Sequence, residues 1–215
     1  MNAVLDAPPT QVDAASSTPP PFRKGSAPAP FRWTVESFYE VSGMEMFHNR
    51  RFMLIDGEIL QMATDNPPHV TGVALAAQRL QQVFGSGFYV RNQAGMPLKL
   101  DTDPSPDVVV VPGSIRDYAK IHPAPDAIRL IVEVSDSTLE YDLGGKSHLY
   151  AAAGIAEYWV VDVNASQLHI HREPVADDAA PRGFRYASLQ VLNPTDSIAP
   201  LAAPDSAITV GELMP

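Results

Sequence analysis

Two short stretches constrain this chain more than any other. In "PDVVVV", Pro106 to Val111, four valines follow an aspartate; in "IRLIVEVS", Ile128 to Ser135, a glutamate interrupts an otherwise apolar run. Apolar residues at successive positions leave no solvent face, so each stretch reads as a strand covered on both sides, as in a sheet with helices on both faces. The two acids are out of place there. Strand periodicity puts Leu130, Val132 and Val134 on one face and Ile131, Glu133 and Ser135 on the other. A carboxylate in that position is costly to ionise unless a cation or several donors face it. Glu133 is therefore either half of a structural ion pair or part of a site. Asp107 is either a turn residue after proline or one leg of a metal centre. Adjacent strands run about 4.8 Å apart, a spacing that would bring both carboxylates to one ion.

The rest of the chain supplies the covering layers. "TVESFYEVSG" reads as a short helix with Thr34 as its N-cap and Gly43 at its end. "RFMLIDGEILQMA" alternates about the Asp56-Gly57 turn, as a hairpin does. "HVTGVALAAQRLQQVF" has helical spacing and stops at Gly85, and "FYVRNQAGMPLKL" reads as a strand. "SIRDYAKIHPAPDA" is expected to be loop with a helical turn. "YDLGGKSHLYAAAGI" reads as a helix capped at Asp142, and "AEYWVVDV", "LHIHRE" and "FRYASLQVL" as strands, the first two joined at "NASQ". The order predicts an α/β (α+β) domain with a central mixed sheet flanked by helices. "DLGGK" lacks the glycine spacing of a phosphate-binding loop.

Of the 21 prolines, seven fall in the first thirty residues, so residues 1–30 are expected to be a disordered Pro/Ala-rich leader and residues 31–215 a single domain. No signal peptide or membrane span is expected. The absence of cysteine excludes thiolate metal sites and disulfides, and agrees with a reducing cytoplasm. The net charge of −10 arises entirely in residues 101–215, which hold 17 acids and 7 bases. That balance disfavours a broad phosphate-binding surface, although acids gathered about a divalent ion would be partly neutralised in use.

Lys146 is the third signal. It follows two glycines that together cost about 2 kcal/mol of helix propensity, and a cation near a helix start opposes the dipole. It reads either as a solvated lysine after a flexible cap or as an ammonium held for a phosphate or a water. With two hard acids and no cysteine, the metal would be Mg²⁺ or Mn²⁺. His169 and His171 alternate on one strand face without a third ligand nearby in sequence.

Together, "PDVVVV", "LIVEVSDSTLEYDLGGKSHLYAAAGIAEYWVVD" and "IDGEI" resemble the Uma-type putative restriction endonuclease family of the PD-(D/E)XK nuclease superfamily, over about residues 33 to 213. The resemblance implies a restriction-endonuclease-like core and a Mg²⁺- or Mn²⁺-dependent DNA endonuclease, with a homodimer plausible for cutting both strands. It implies Asp107 and Glu133 as catalytic metal ligands and Glu58 as an additional acidic ligand. Ser135 stands where the superfamily pattern has its lysine, and the resemblance moves that role to Lys146. His69 would lie near the pocket, and Gln93 would help to position water or phosphate. The alternative is a nuclease-fold protein that no longer cuts and serves as a binding or assembly module.

Overall fold

The computed structural model of the chain describes residues 27–215, so all but the last four residues of the expected leader lie outside the described residues. The first element, α1 (Val35–Ser42), starts at Thr34, whose side chain accepts from the Ser37 amide while the Ser37 hydroxyl serves the Thr34 amide. The strands β1 (Phe52–Ile55) and β2 (Glu58–Gln61) form the expected hairpin, with Asp56 and Gly57 both at positive φ, 50° and 76°, as a two-residue turn requires. Helix α2 (Pro67–Phe84) is capped by Asn66, and Pro67 and Pro68 occupy its first positions, where a missing amide hydrogen costs nothing.

The strands β3 (Phe88–Asn92), β4 (Val108–Pro112) and β5 (Leu130–Ser135) run antiparallel to one another in sequence. The stretch between β4 and β5 is irregular apart from a 3₁₀ turn at Pro125–Ala127. Next come α3 (Leu139–Tyr141), a π-helical turn at Asp142–Lys146 and α4 (Ser147–Ala152), which together make the crossover to β6 (Glu157–Asp162), parallel to β5. The strands β7 (Gln167–Ala176) and β8 (Phe184–Leu192) complete a six-stranded mixed sheet in the order β3-β4-β5-β6-β7-β8. The short β9 (Ser197–Ile198) and β10 (Ile208–Thr209) pair beside it, and a 3₁₀ turn, Val210–Leu213, follows. Among the described residues no helix is long and apolar enough to cross a membrane.

The two apolar strands are buried on both faces, as their composition requires. On one face Val108, Val110, Val132 and Val134 pack against Val73, Ala76 and Leu80 of α2. On the other, Val109, Val111 and Ile131 pack with Leu149 and Tyr150 of α4 and with Met53 and Ile55 of the hairpin. Helix α2 approaches the sheet closely at Gly72, where a Cβ would lie 2.8 Å from Val134 Cγ1. This contact sets the start of α2 over the end of β5.

One expectation needs correction. Asp142 does not cap a helix that begins there: its amide donates to the Thr138 carbonyl at 2.9 Å, inside a helical run that has already started at Leu139. The Gly144-Gly145 pair widens the run into a π turn instead of opening it, so Lys146 sits mid-run and no free helix N-terminus surrounds it.

Candidate active site

The antiparallel register pairs Val108 with Val132, and one further step places Asp107 opposite Glu133. The two acids interlock across the strands. The Val134 amide donates to Asp107 Oδ2 at 2.9 Å, and the Asp107 amide donates to Glu133 Oε2 at 3.3 Å. Both side chains are buried.

Lys146 reaches this pair from the π turn. Its Nζ lies 2.9 Å from Glu133 Oε2 and 2.9 Å from Asp142 Oδ1. Asp142 is held from its other side by the Thr138 hydroxyl at 2.5 Å, and its Oδ1, although near the ammonium, has no aligned hydrogen-bond partner. Tyr150, one turn beyond Lys146, donates its hydroxyl to Glu133 Oε1 at 2.7 Å. The site thus joins three acids and one fixed cation, all buried.

Burial pushes the Glu133 carboxyl up to about 8, opposed first by the Lys146 charge and reinforced by Asp107 and Asp142. Burial pulls on the Lys146 ammonium too, but Glu133, Asp142 and Asp107 outweigh it and hold its proton well above the usual lysine range. These two pulls are coupled, since each partner's charge sets the other's. The direction that survives either state of Glu133 is a firmly cationic Lys146, because Asp142 and Asp107 remain beside it.

His69, in the first turn of α2, closes the site on the other side. Its Nδ1 lies 2.8 Å from the Val134 carbonyl and must donate to it. Its Nε2 lies 3.3 Å from Asp107 Oδ1 and 3.5 Å from Asp65 Oδ1, aligned with neither as a hydrogen bond. Asp107 is the main reason the imidazole is pushed up to about 9, against burial. Burial works against the Asp107 charge, yet His69 holds that carboxyl below its ordinary value. Gln93, at positive φ after β3, donates its amide to the Asp107 carbonyl at 3.0 Å and its side chain to Asp65 Oδ2 at 3.3 Å. It therefore touches the rim and not the acid pair.

Glu58 does not join the group. It stands exposed at the start of β2 and pairs with Arg32 at 2.6 Å. The expected ligand role for Glu58 is thus set aside: the hairpin packs its apolar residues inward on the sheet and turns this acid to solvent. Three further side chains belong to the site: Asp142, expected only as a helix cap, and Asp65 and Tyr150, for which the sequence suggests no site role. The four-residue spacings from Asp142 to Lys146 and from Lys146 to Tyr150 would have found two of them on one helical face, whereas no local signal marks Asp65. His169 has only Asp162 near it, at 3.9 Å, and His171 packs between Tyr158 and Tyr186, so the pair forms no metal site.

A cleft of about 410 Å³ opens over the site, lined by His69, Asp107, Asp142 and Lys146 and by Met53, Leu60 and Tyr141 on its apolar side. A larger recess, about 650 Å³, lies among Asp56, Lys99, Leu149 and Arg182. Its charges already satisfy one another, Asp56 pairing with Lys99 at 2.8 Å and Arg182 at 2.6 Å, and it holds no pair of acids.

Among the described residues no group of three or more His, Asp or Glu side chains is disposed to hold a metal ion unaided. Mg²⁺, however, keeps several waters and is commonly held by one or two carboxylates together with substrate phosphate. Asp107 and Glu133 meet that need with hard oxygen donors, and Asp107 lines the cleft beside His69 Nε2, a buried atom with no aligned hydrogen-bond partner. The residues fit such an ion.

The sequence profile of the family Uma2, described as "Putative restriction endonuclease", matches residues 35–211. Among curated proteins none matches. Among solved structures, the chain is similar to a putative nuclease belonging to DUF820 from Anabaena variabilis ATCC 29413, with a TM-score of 0.62 and 16% sequence identity. The match covers 84% of this chain and 97% of that one, and at this identity it shows a shared fold.

Proposed function

We propose, from the premise that this chain belongs to the Uma2 family ("Putative restriction endonuclease"), that it hydrolyses phosphodiester bonds of DNA with the help of Mg²⁺ or Mn²⁺. One observation carries the reading: Asp107 and Glu133 interlock across β4 and β5, with Lys146 Nζ 2.9 Å from Glu133, and Asp107 and Lys146 line an open cleft with Glu133 buried behind them.

Asp107 and Glu133 would hold the ion, which when bound supplies a more acidic water and neutralises charge at the scissile phosphate. Tyr150 and the Asp107 amide fix the two oxygens of Glu133, and His69 together with the Val134 amide fixes Asp107. Lys146 keeps its proton, so its part is that of a donor. It orients the attacking water or binds a phosphate oxygen as negative charge builds. Asp142 holds the ammonium on the side away from Glu133.

The test is cleavage of plasmid and oligonucleotide DNA by the full chain with Mg²⁺ or Mn²⁺. Asp107→Asn and Lys146→Ala should remove the activity while circular dichroism shows an unchanged fold; undiminished cleavage would reject the assignments. A second reading, a nuclease fold kept for binding or assembly, draws on the fact that Lys146 is already neutralised by Glu133 and Asp142. A folded wild-type chain that binds DNA but never cuts it with either ion would favour that reading.

A further inference from the structure

The cleft has two unlike sides. Its charged floor carries Asp65, Asp107, Asp136 and Asp142 against Lys146 and His69, and no other Lys or Arg among the described residues lines it. Lys146 is engaged by Glu133 and Asp142, and nearby Arg51 by Asp65 at 2.6 Å. Duplex binding draws largely on phosphates neutralised by Lys and Arg, and this cleft has little to offer it. The rest of the lining includes apolar side chains: Met53, Leu60 and Met62 from the hairpin and the segment after it, and Tyr141 from α3.

Tyr141 is placed by its neighbours. Its ring lies against Gly145, where a Cβ would come within 2.8 Å of the ring carbon Cε2, so the second glycine of the π turn is what lets the ring lie there. The centroid is 5.9 Å from Lys146 Nζ, and the residue remains 37% exposed. A partly exposed aromatic ring beside Lys146, lining the same cleft as two methionines and a leucine, suits the π-face of a base that has left its stack.

We propose that the cleft takes an unpaired nucleotide, its base stacked on Tyr141 and lodged against Leu60 and Met62, so that the substrate is a single-stranded or locally unpaired segment of nucleic acid. This rests on the hydrolytic reading for the position of the phosphate, but its own content is the base. The affinity then comes more from stacking than from phosphate charge, which makes the acidity of the cleft tolerable.

The experiment is fluorescence anisotropy on the full chain with labelled oligothymidylate of about 12 nucleotides, an abasic oligomer of equal length and charge, and a duplex of equal length. Wild type should bind oligothymidylate about tenfold more tightly than either of the others. Tyr141→Ala should weaken binding of oligothymidylate about tenfold and leave the abasic oligomer unaffected, whereas Tyr141→Phe, which keeps the ring, should bind as wild type does. Leu60→Ala should show the same selectivity more weakly, and thermal unfolding would confirm that each variant is folded. Equal or tighter binding of duplex, or an equal loss on both single strands with Tyr141→Ala, would overturn the proposal. Cleavage is scored separately. Cutting of duplex that does not depend on Tyr141 would leave hydrolysis standing without the stacking site, and base-dependent binding with no cutting would do the reverse.

Discussion

Two glutamates lie fully buried in neighbouring parallel strands, and they have opposite surroundings. Glu157, at the start of β6, is closed in by donors: Trp159 Nε1 at 2.9 Å and Arg172 Nε at 2.8 Å meet Oε1, and the Leu201 amide meets Oε2 at 2.8 Å. Arg172 also donates to the Ala199 carbonyl, so the network ties the C-terminal segment to the sheet. Glu133, in β5, has one lysine, one tyrosine hydroxyl and one amide, and it shares its space with Asp107 and Asp142, which line a cleft. Burial alone therefore does not mark a functional acid. The acid that faces other acids, behind side chains that line an opening, is the better candidate for chemistry.

That contrast is open to attack at several strengths. The largest effect expected is on rate: Lys146→Ala should lower cleavage by about 10²–10³-fold, with the fold intact by circular dichroism. The same substitution philosophy applied to the two glutamates should separate them by stability. Glu157→Gln leaves the buried face of Arg172 without its counter-charge and should cost about 3–5 kcal/mol in urea unfolding. Glu133→Gln removes one of three crowded acids and should cost much less. Equal losses would erase the distinction.

A pH series sharpens it further. The Glu133 pKa is raised in the folded chain, from an ordinary 4.5 to about 8, so the folded state binds the extra proton and that contribution is fully present below pH 4.5. It is lost as pH rises toward 8. The stability of Glu133→Gln relative to wild type should therefore improve across that window, as read by unfolding at fixed salt. A flat difference would mean that Glu133 is not strained by its neighbours. The smallest effect belongs to Tyr150→Phe, which removes one buried hydrogen bond to Glu133 and should cost about 1–2 kcal/mol while lowering cleavage far less than Lys146→Ala.

Much of this was legible in the sequence, for identifiable reasons. The valine run and Glu133 pointed to a doubly covered sheet because short, β-branched apolar runs fit buried strands, and strand spacing allowed Asp107 and Glu133 to share an ion. The register that sets them opposite each other is visible only in the fold. The ligand role of Glu58 was implied by the resemblance and by nothing in its own surroundings, and in the fold this exposed acid pairs with Arg32, 26 residues away. Asp142 was read as a cap because Asp before Gly-Gly looks like a helix start. The π turn that makes it a second anchor for Lys146 depends on Thr138 and on packing against β6, where the Tyr158 hydroxyl donates to the Asp142 carbonyl at 3.0 Å. Such tertiary support leaves no local trace in the chain.

The most direct measurement is a calorimetric titration of Mn²⁺ into the folded wild-type chain and into Glu133→Gln and Glu157→Gln at matched concentration. Saturable binding in wild type that survives in Glu157→Gln, provided that variant remains folded, and disappears in Glu133→Gln is the predicted result. Undiminished binding in Glu133→Gln, or no heat of binding in a folded wild type, would contradict the claim that Asp107 and Glu133 form a metal-assisted hydrolytic centre.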